Sequence, residues 1–319
     1  MKVIFLGNPE FAVECLYALT ESSHEVVGVV TRPDKPGNRK KLTRSEVAEY
    51  AEARGLPVIK TDDISADIDL LKRFCADIFV TAAFGQKLSE EILSLPEYGV
   101  LNVHASLLPQ LRGASPIQTA IACGLKRTGV SIMKTVYEMD AGDVLKQFAV
   151  DITPSMTADE LSELLAREGG RLLVESLDEI ERGEAKYVPQ KNIRTDGARW
   201  RVSCCRKIKK QDERIDWSEC GKGVSCKIRS LSSNPGARST INGADVKIYR
   251  AEYAGAARKR NLVPGEIAEA GKNGLIVKCG RGCVRIDDIQ FAGGKKTRAS
   301  DLLNGRKIKV GDIFGDEIK

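Results

Sequence analysis

The tightest constraint on the fold is an early alternation between two hydrophobic periods. Residues 3–6 are continuously apolar and stop at Gly7 and Pro9, as a strand buried on both faces would. Phe11, Cys15 and Leu19 then recur every fourth residue, which sets them on one face of a helix. Residues 26–30, 78–82 and 100–104 repeat the strand-like pattern, with helical segments between them. Strands alternating with helices imply a parallel sheet covered on both faces, hence a Rossmann-like α/β domain. The first turn, Gly7-Asn8-Pro9-Glu10, lacks the further glycines that let a dinucleotide pyrophosphate reach the backbone. That disfavours a nicotinamide or flavin cofactor.

Residues 131–136 and 144–150 read as two more strands around the turn Glu138-Met139-Asp140-Ala141-Gly142-Asp143. Thr157 with Glu160 three residues later makes a capping box. It opens a long helix whose stripe of Leu161, Leu164, Leu165, Leu172, Leu173, Leu177 and Ile180 ends near Gly183. This helix closes a first domain at residues 1–186. Over residues 187–210 the periodicity fades and basic residues accumulate, ending in Arg206-Lys207-Ile208-Lys209-Lys210, as in a basic linker. Residues 211–319 hold short strand-like segments at 246–249, 274–278 and 284–289 punctuated by glycine, which suggests a small β barrel.

Charge divides the chain at the same place. Residues 1–186 hold 21 Lys+Arg against 29 Asp+Glu, a net −8, and residues 187–319 hold 29 against 15, a net +14; together they give the +6 of the whole chain. A strongly basic second part draws polyanions, of which nucleic acid is the commonest in a cytoplasm. The apolar start ends too soon for a signal-peptide core, and no later run approaches the roughly 18 residues of a membrane span. Nine cysteines, an odd number scattered from Cys15 to Cys283, suit reduced thiols rather than a disulfide framework. A cytoplasmic protein without a membrane partner is the expectation.

The chain has 2 histidines, His24 and His104, so the search for a general acid or base is short. His24 sits in a polar stretch and reads as exposed. His104 ends a central strand with Asn102 two residues before it, so the pleat points both side chains to one face, and ligands bind at the carboxyl ends of parallel strands. Asn, His and a carboxylate suit acyl transfer to an amine. As the amine attacks a formyl carbon, negative charge gathers on the oxygen, where the Asn amide and a protonated His can donate. A carboxylate would orient the imidazole and help manage the proton leaving the amine, and the turn offers Asp140 and Asp143. On local sequence alone, a structural Asn/His pair and an ordinary acidic turn remain open.

Leu101-Asn102-Val103-His104-Ala105-Ser106-Leu107-Leu108-Pro109, followed by Arg112-Gly113-Ala114-Ser115-Pro116-Ile117-Gln118, closely resembles the active-site segment of methionyl-tRNA formyltransferases. Asp140-Ala141-Gly142-Asp143 is similar to the family's second motif. The resemblance runs over nearly the whole chain, from Gly7-Asn8-Pro9-Glu10-Phe11-Ala12 through Arg214-Ile215-Asp216-Trp217-Ser218 to Ala292-Gly293-Gly294-Lys295-Lys296 and Leu303-Asn304-Gly305-Arg306. The Asn, His, Asp constellation occurs across folate-dependent formyltransferases, and the C-terminal motifs narrow the match.

The resemblance implies Asn102, His104 and Asp140 as catalytic residues, 10-formyltetrahydrofolate as formyl donor, no metal, and the amino group of methionyl initiator tRNA as acceptor. It implies an OB-like barrel that holds the tRNA. It also implies a pterin pocket formed largely by backbone around Ala83 to Leu88, with Phe84, Gly85, Gln86, Lys87, Leu88, Ser106, Leu107, Leu108 and Pro109 as co-substrate residues. Here Lys87 replaces a usual apolar residue and Ser89 a usual proline.

Arg32, Lys35, Arg39, Lys40, Lys41 and Arg44 stand against one acid, Asp34, with Pro33, Pro36 and Gly37 breaking regular structure. So basic a segment cannot be buried unpaired. It resembles the loop by which the family grips the tRNA acceptor end, which gives Arg39, Lys40 and Lys41 as tRNA contacts, joined by Lys207, Lys209 and Lys210. Cys220, Cys226, Cys279 and Cys283 lack the paired short spacings of a zinc site and read as inert thiols. Trp200 and Trp217 could stack on bases, but Trp217 reads as packing. Two rival functions stand beside this one. A small-molecule formyltransferase acting on glycinamide ribonucleotide or a sugar amine would need no basic barrel. A non-catalytic RNA-binding protein would need no intact Asn102, His104 and Asp140.

Overall fold

The computed structural model describes residues 1–36, 42–195, 198–199, 202–256, 261–303 and 308–315. The chain forms two compact units, one of Met1–Pro116, Thr128–Val150 and Ser162–Cys205, the other of Ile117–Arg127, Asp151–Leu161 and Arg206–Lys319.

In the first unit the strands are β1 (Lys2–Gly7), β2 (Glu25–Thr31), β3 (Val58–Lys60), β4 (Ile78–Ala82), β5 (Val100–His104), β6 (Arg127–Lys134) and β7 (Val144–Asp151). They form one sheet in the order β7-β6-β5-β4-β1-β2-β3. From β5 to β3 every pairing is parallel, and β6 joins β5 antiparallel. Val3, Ile4, Phe5 and Leu6 of β1 have no exposed surface, and all of β4 is buried, as expected for strands covered on both faces. Helix α1 (Glu10–Thr20) buries Ala12, Cys15, Leu16 and Leu19. Ser45 caps α2 (Glu46–Ala53), and the short α3 (Ile68–Lys72) follows. Ser89 caps α4 (Glu90–Leu93) by accepting from the Ile92 N–H at 3.3 Å. The residue that departs from the family's proline therefore has a local task of its own.

After α5 (Pro116–Ala122), the long helix α6 (Ala158–Glu181) opens as its capping box predicts. Glu160 accepts from the Thr157 N–H at 2.9 Å, and the Thr157 hydroxyl accepts from the Glu160 N–H at 3.4 Å. Its far end produces one correction. His24, expected to be exposed, is buried at the entrance to β2. Its Nε2 lies 3.2 Å from Asp178 Oδ1 but out of line for a hydrogen bond, and its Nδ1 lies 3.2 Å from the Met1 ammonium, which also donates to Glu181 at 3.0 Å. The polar neighbours Ser22 and Glu25 gave no sign that α6 would cover this residue. His24, Asp178 and Glu181 are also, among the described residues, the one group of potential metal ligands within 4.8 Å of one another. The Met1 ammonium stands against two of them.

The second unit contains α7 (Gly221–Ser230) and strands β8 (Ala237–Ile241), β9 (Ala244–Gly255), β10 (Ile267–Gly271), β11 (Gly274–Lys278) and β12 (Cys283–Phe291). Their order is β8-β9-β12-β11-β10, antiparallel throughout. Phe314 bridges to Ile241 at the end of β8, and Ile313 bridges to Glu266 beside β10, so one short segment joins both edges of the sheet. The glycine-punctuated segments, expected as a small β barrel, thus form an antiparallel β domain. Trp217 packs in its core at 5.3 Å from the Phe314 ring and donates from Nε1 to Ser239 at 3.0 Å. Trp200 lies outside the described residues.

Residues 187–210, expected as a linker, divide at Cys205. Up to that point they are tied into the first unit: Val188 bridges Val144, and Cys204–Cys205 pairs in parallel with Arg112–Gly113. Pairings two residues long leave no hydrophobic period, so sequence pattern cannot show them. From Arg206 onward the basic stretch belongs to the second unit. No helix among the described residues is long and apolar enough to cross a membrane. Burial pushes the Cys15 thiol far above its ordinary range and Cys279 up to about 12, which suits inert packing groups.

Candidate active site

β5 delivers Asn102 and His104 to its carboxyl end on one face of the sheet. Thr81 of β4 lies opposite Asn102, and its hydroxyl donates to Asn102 Oδ1 at 2.9 Å. With Oδ1 engaged, the Nδ2 amide keeps no partner among the described residues and is left to donate elsewhere. His104 is buried, and its Nε2 donates to the Leu111 carbonyl at 3.0 Å. A carbonyl only accepts, so Nε2 carries a proton in either charge state. Nδ1 is therefore the ring nitrogen not committed to the backbone. It faces Asp140 Oδ2 at 3.8 Å, too long for a hydrogen bond.

Of the two aspartates in the turn, Asp140 is the one whose carboxylate faces His104. The Gly113 N–H donates to the same Oδ2 at 2.7 Å, whereas Asp143 contributes its backbone carbonyl to Lys134. Asp140 has φ +49° and Leu111, the partner of His104, has φ +57°. Each costs a non-glycine residue about 1 kcal/mol or more, which the surroundings must hold in place. Close backbone approaches do so. A Cβ on Gly142 would lie 1.7 Å from the Lys134 carbonyl, and one on Gly113 would lie 2.2 Å from the Cys205 carbonyl. The loop after β5 is equally fixed. Ser106, fully buried, donates to the Gln110 carbonyl at 2.6 Å and accepts at its own carbonyl from the Ser131 hydroxyl at 2.6 Å; that hydroxyl also accepts from the Leu108 N–H. Leu107, Leu108 and Pro109 are buried beside it.

The sheet order reverses between β1 and β4, where open α/β sheets hold their ligands. The loop of residues 83–88 stands there. Asn8 Nδ2 donates to the Phe84 carbonyl at 2.6 Å while Asn8 Oδ1 accepts from the Arg32 N–H at 2.6 Å, and the Arg32 guanidinium donates to the Gly85 carbonyl. Gln86 is spent on the scaffold, accepting from Ile64 and donating to Thr61, each at 2.9 Å. Phe84 and Leu88 are buried in an apolar cluster. None of the described residues accepts from the backbone N–H groups of residues 84–88. A row of open donors over an apolar floor fits a flat heteroaromatic ring with hydrogen-bonding edges.

A profile described as formyl transferase matches residues 1–177, and one described as formyl transferase, C-terminal domain, matches residues 207–307. The methionyl-tRNA formyltransferase of Sulfurihydrogenibium sp. (strain YO3AOP1) is 41% identical over 98% of this chain and 100% of its own length. That of Bacillus subtilis (strain 168) is 36% identical over 98% of both. This chain belongs to the methionyl-tRNA formyltransferase family. Solved structures share the fold at lower identity. HypX from Aquifex aeolicus in complex with tetrahydrofolic acid has TM-score 0.65 and 21% identity, covering 97% of this chain and 48% of that one. An N-formyltransferase from Helicobacter canadensis has TM-score 0.66 and 17% identity, covering 93% and 100%.

Within this family the chain's Lys87 acquires a physical account, since its ammonium lies 3.3 Å from the centre of the Tyr137 ring. A cation over an aromatic face takes the place of an apolar contact. Arg39, Lys40 and Lys41 lie outside the described residues. Lys207, Lys209 and Lys210 are exposed on the second unit, and none forms an ion pair among the described residues. A groove of about 510 Å³ on that unit is lined by Arg250, Lys272, Arg285 and Arg298 together with Glu252, Asp287 and Asp288. Its lining holds no histidine and no buried carboxylate. Sequence reasoning missed Asn8, Arg112, Gln190 and Ser203. Asn8 sits in the family-like motif at the start of the chain, which is the signal that could have found it. Ser203, whose hydroxyl accepts from the Leu111 N–H at 2.9 Å, gave no signal.

Proposed function

We propose that this chain transfers the formyl group of 10-formyltetrahydrofolate to the amino group of methionine on initiator tRNA, in the cytoplasm, with Asn102, His104 and Asp140 at the reacting centre. The observation that carries the proposal is the arrangement of His104 Nδ1, Asp140 Oδ2 and the Gly113 N–H at the carboxyl end of β5, in a chain that matches its relatives across both units. The backbone of residues 84–88, with Ser106, Leu107, Leu108 and Pro109, would hold the folate. When bound it supplies the formyl carbon, and its N10 retains the electron pair of the broken bond.

Asn102 Nδ2 and the charged His104 ring stabilise the formyl oxygen as negative charge gathers on it. Removing one such donor costs about 10² to 10³ in rate. Asp140 faces the ring throughout and helps to move the proton that the amine releases, which finishes on N10. Initiator tRNA is gripped by the loop of Arg39, Lys40 and Lys41 and by the second unit, where Lys207, Lys209 and Lys210 stand in solvent. The net +14 from residue 187 onward supports that division.

The test offers purified protein the formyl donor with methionyl initiator tRNA, glycinamide ribonucleotide or a nucleotide-linked amino sugar, and identifies the product. Formylmethionyl-tRNA as the main product supports the proposal. Preferential formylation of either small amine would replace it with the small-molecule reading, and binding of tRNA without turnover would replace it with the non-catalytic one.

A further inference from the structure

Gln190 has a buried side chain with no spare hydrogen-bonding capacity. Its Nε2 donates to the Asp140 carbonyl and to the Gly142 carbonyl, each at 2.8 Å. Its Oε1 accepts from Arg112 Nε at 3.0 Å and Arg112 Nη2 at 2.7 Å. An amide offers two donors and one oxygen with two acceptor sites, and here all are used. The two carbonyls belong to the turn that carries Asp140 in its left-handed conformation. The guanidinium belongs to the residue just before Gly113, whose N–H holds the Asp140 carboxylate. One side chain thus fixes the backbone of the turn and the loop that receives its carboxylate.

We propose that Gln190 is a positioning residue for formyl transfer, setting the Asp140 carboxylate against His104 by tying the turn at residues 140–142 to Arg112. The proposal rests on the reading of Asp140 as the carboxylate of the reacting centre. Other side chains of this size do half of the task or none of it. Glutamate would keep the Arg112 contact but turn a second oxygen toward the Asp140 and Gly142 carbonyls, where a donor is required. Methionine would fill the volume and satisfy none of the four hydrogen bonds. Either change lets the carboxylate drift, and a displacement near 1 Å at a reacting centre costs about 10²-fold in rate.

The experiment compares Gln190→Met, Gln190→Glu, Asp140→Asn and the Gln190→Met/Asp140→Asn double variant, with folding checked by thermal melting and folate affinity. For Gln190→Met the expected result is a fall in kcat of about 10- to 100-fold, with KM for both substrates within about twofold. Gln190→Glu, which keeps its guanidinium partner if the methionine variant fails to fold, should lose kcat comparably. In the Asp140→Asn background the Gln190→Met change should have little further effect, because a residue that acts through Asp140 has nothing left to position. Full kcat in either single variant, or an undiminished loss in the Asp140→Asn background, overturns the proposal and leaves Gln190 a general structural residue. An Asp140→Asn enzyme of near-normal kcat instead overturns the reading of Asp140, and the proposal falls with it.

Discussion

Around His104 the polar groups are buried or half-buried, and His104, Asp140 and the Asn102 side-chain carbonyl oxygen each face a fixed partner. From Arg206 onward, apart from the buried Arg229, many of the basic groups reach solvent, and several of them meet carboxylates at the surface. Arg206 with Asp212, Arg285 with Glu252 and Asp287, and Lys296 with Asp288 are of this kind, and exposed pairs contribute about 0–1 kcal/mol each. The contrast separates two uses of charge. A reacting centre needs dipoles aimed before charge develops, in a site that water cannot reorganise. A surface that holds a polyanion needs summed positive potential and tolerates loose geometry. The first should therefore fail sharply at single residues, and the second gradually and in proportion to salt.

The largest effect should come from the centre itself. His104→Ala lowers turnover by about 10² to 10⁴-fold, the span of a positioned acid or base. Asp140→Asn is comparably damaging, and Asp143→Asn milder, because only Asp140 faces the imidazole. Steady-state kinetics read this directly, and the reverse order of the two aspartates would place the working carboxylate elsewhere. Next is the core of the second unit. Trp217→Ala removes a buried indole packed on Phe314 and should destabilise the protein by about 3–5 kcal/mol. Denaturation with folate and tRNA affinities measured in parallel would show tRNA affinity falling while folate affinity holds. Equal loss of both would erase the distinction between the two regions.

How far these regions were legible in the sequence follows from the same physics. β4 and β5 could be read at their observed limits because strands buried on both faces are continuous apolar runs bounded by turns. The capping box of α6 was legible because its chemistry is local. β9 extends well beyond the segment at residues 246–249, because its later residues, Glu252 to Gly255, are partly exposed and carry no apolar pattern. Asn102, His104 and the turn with Asp140 were visible as residue types at suggestive spacing. Gln190, Ser203 and the burial of His24 were not, since each depends on pairings between residues 23 to 154 positions apart.

A smaller effect tests His24. Burial, and then the Met1 ammonium, hold its imidazole below the ordinary range, against the opposing pull of Asp178 and Glu181. The folded state thus favours neutral His24. The associated stability is fully present above the unfolded value of about 6.5 and is lost as pH falls through the lower folded value. Melting temperature should decline on acidification from pH 7 to 5, and His24→Gln should make that decline measurably shallower. An unchanged acid limb would remove His24 from the account.

The division between a sharp centre and a diffuse grip is tested most directly by single-turnover formyl transfer at saturating methionyl initiator tRNA, with tRNA affinity measured over a salt series on the same preparations. His104→Ala should keep wild-type affinity and salt slope while its single-turnover rate falls about 10² to 10⁴-fold. The Lys207→Ala/Lys209→Ala/Lys210→Ala variant should bind roughly tenfold more weakly, with a slope shallower by about 0.7–0.9 for each phosphate left without its lysine, yet react at the wild-type rate once saturated. If the lysine variant stays slow at saturation, or His104→Ala loses tRNA affinity as well as rate, the two regions do not divide the work in this way.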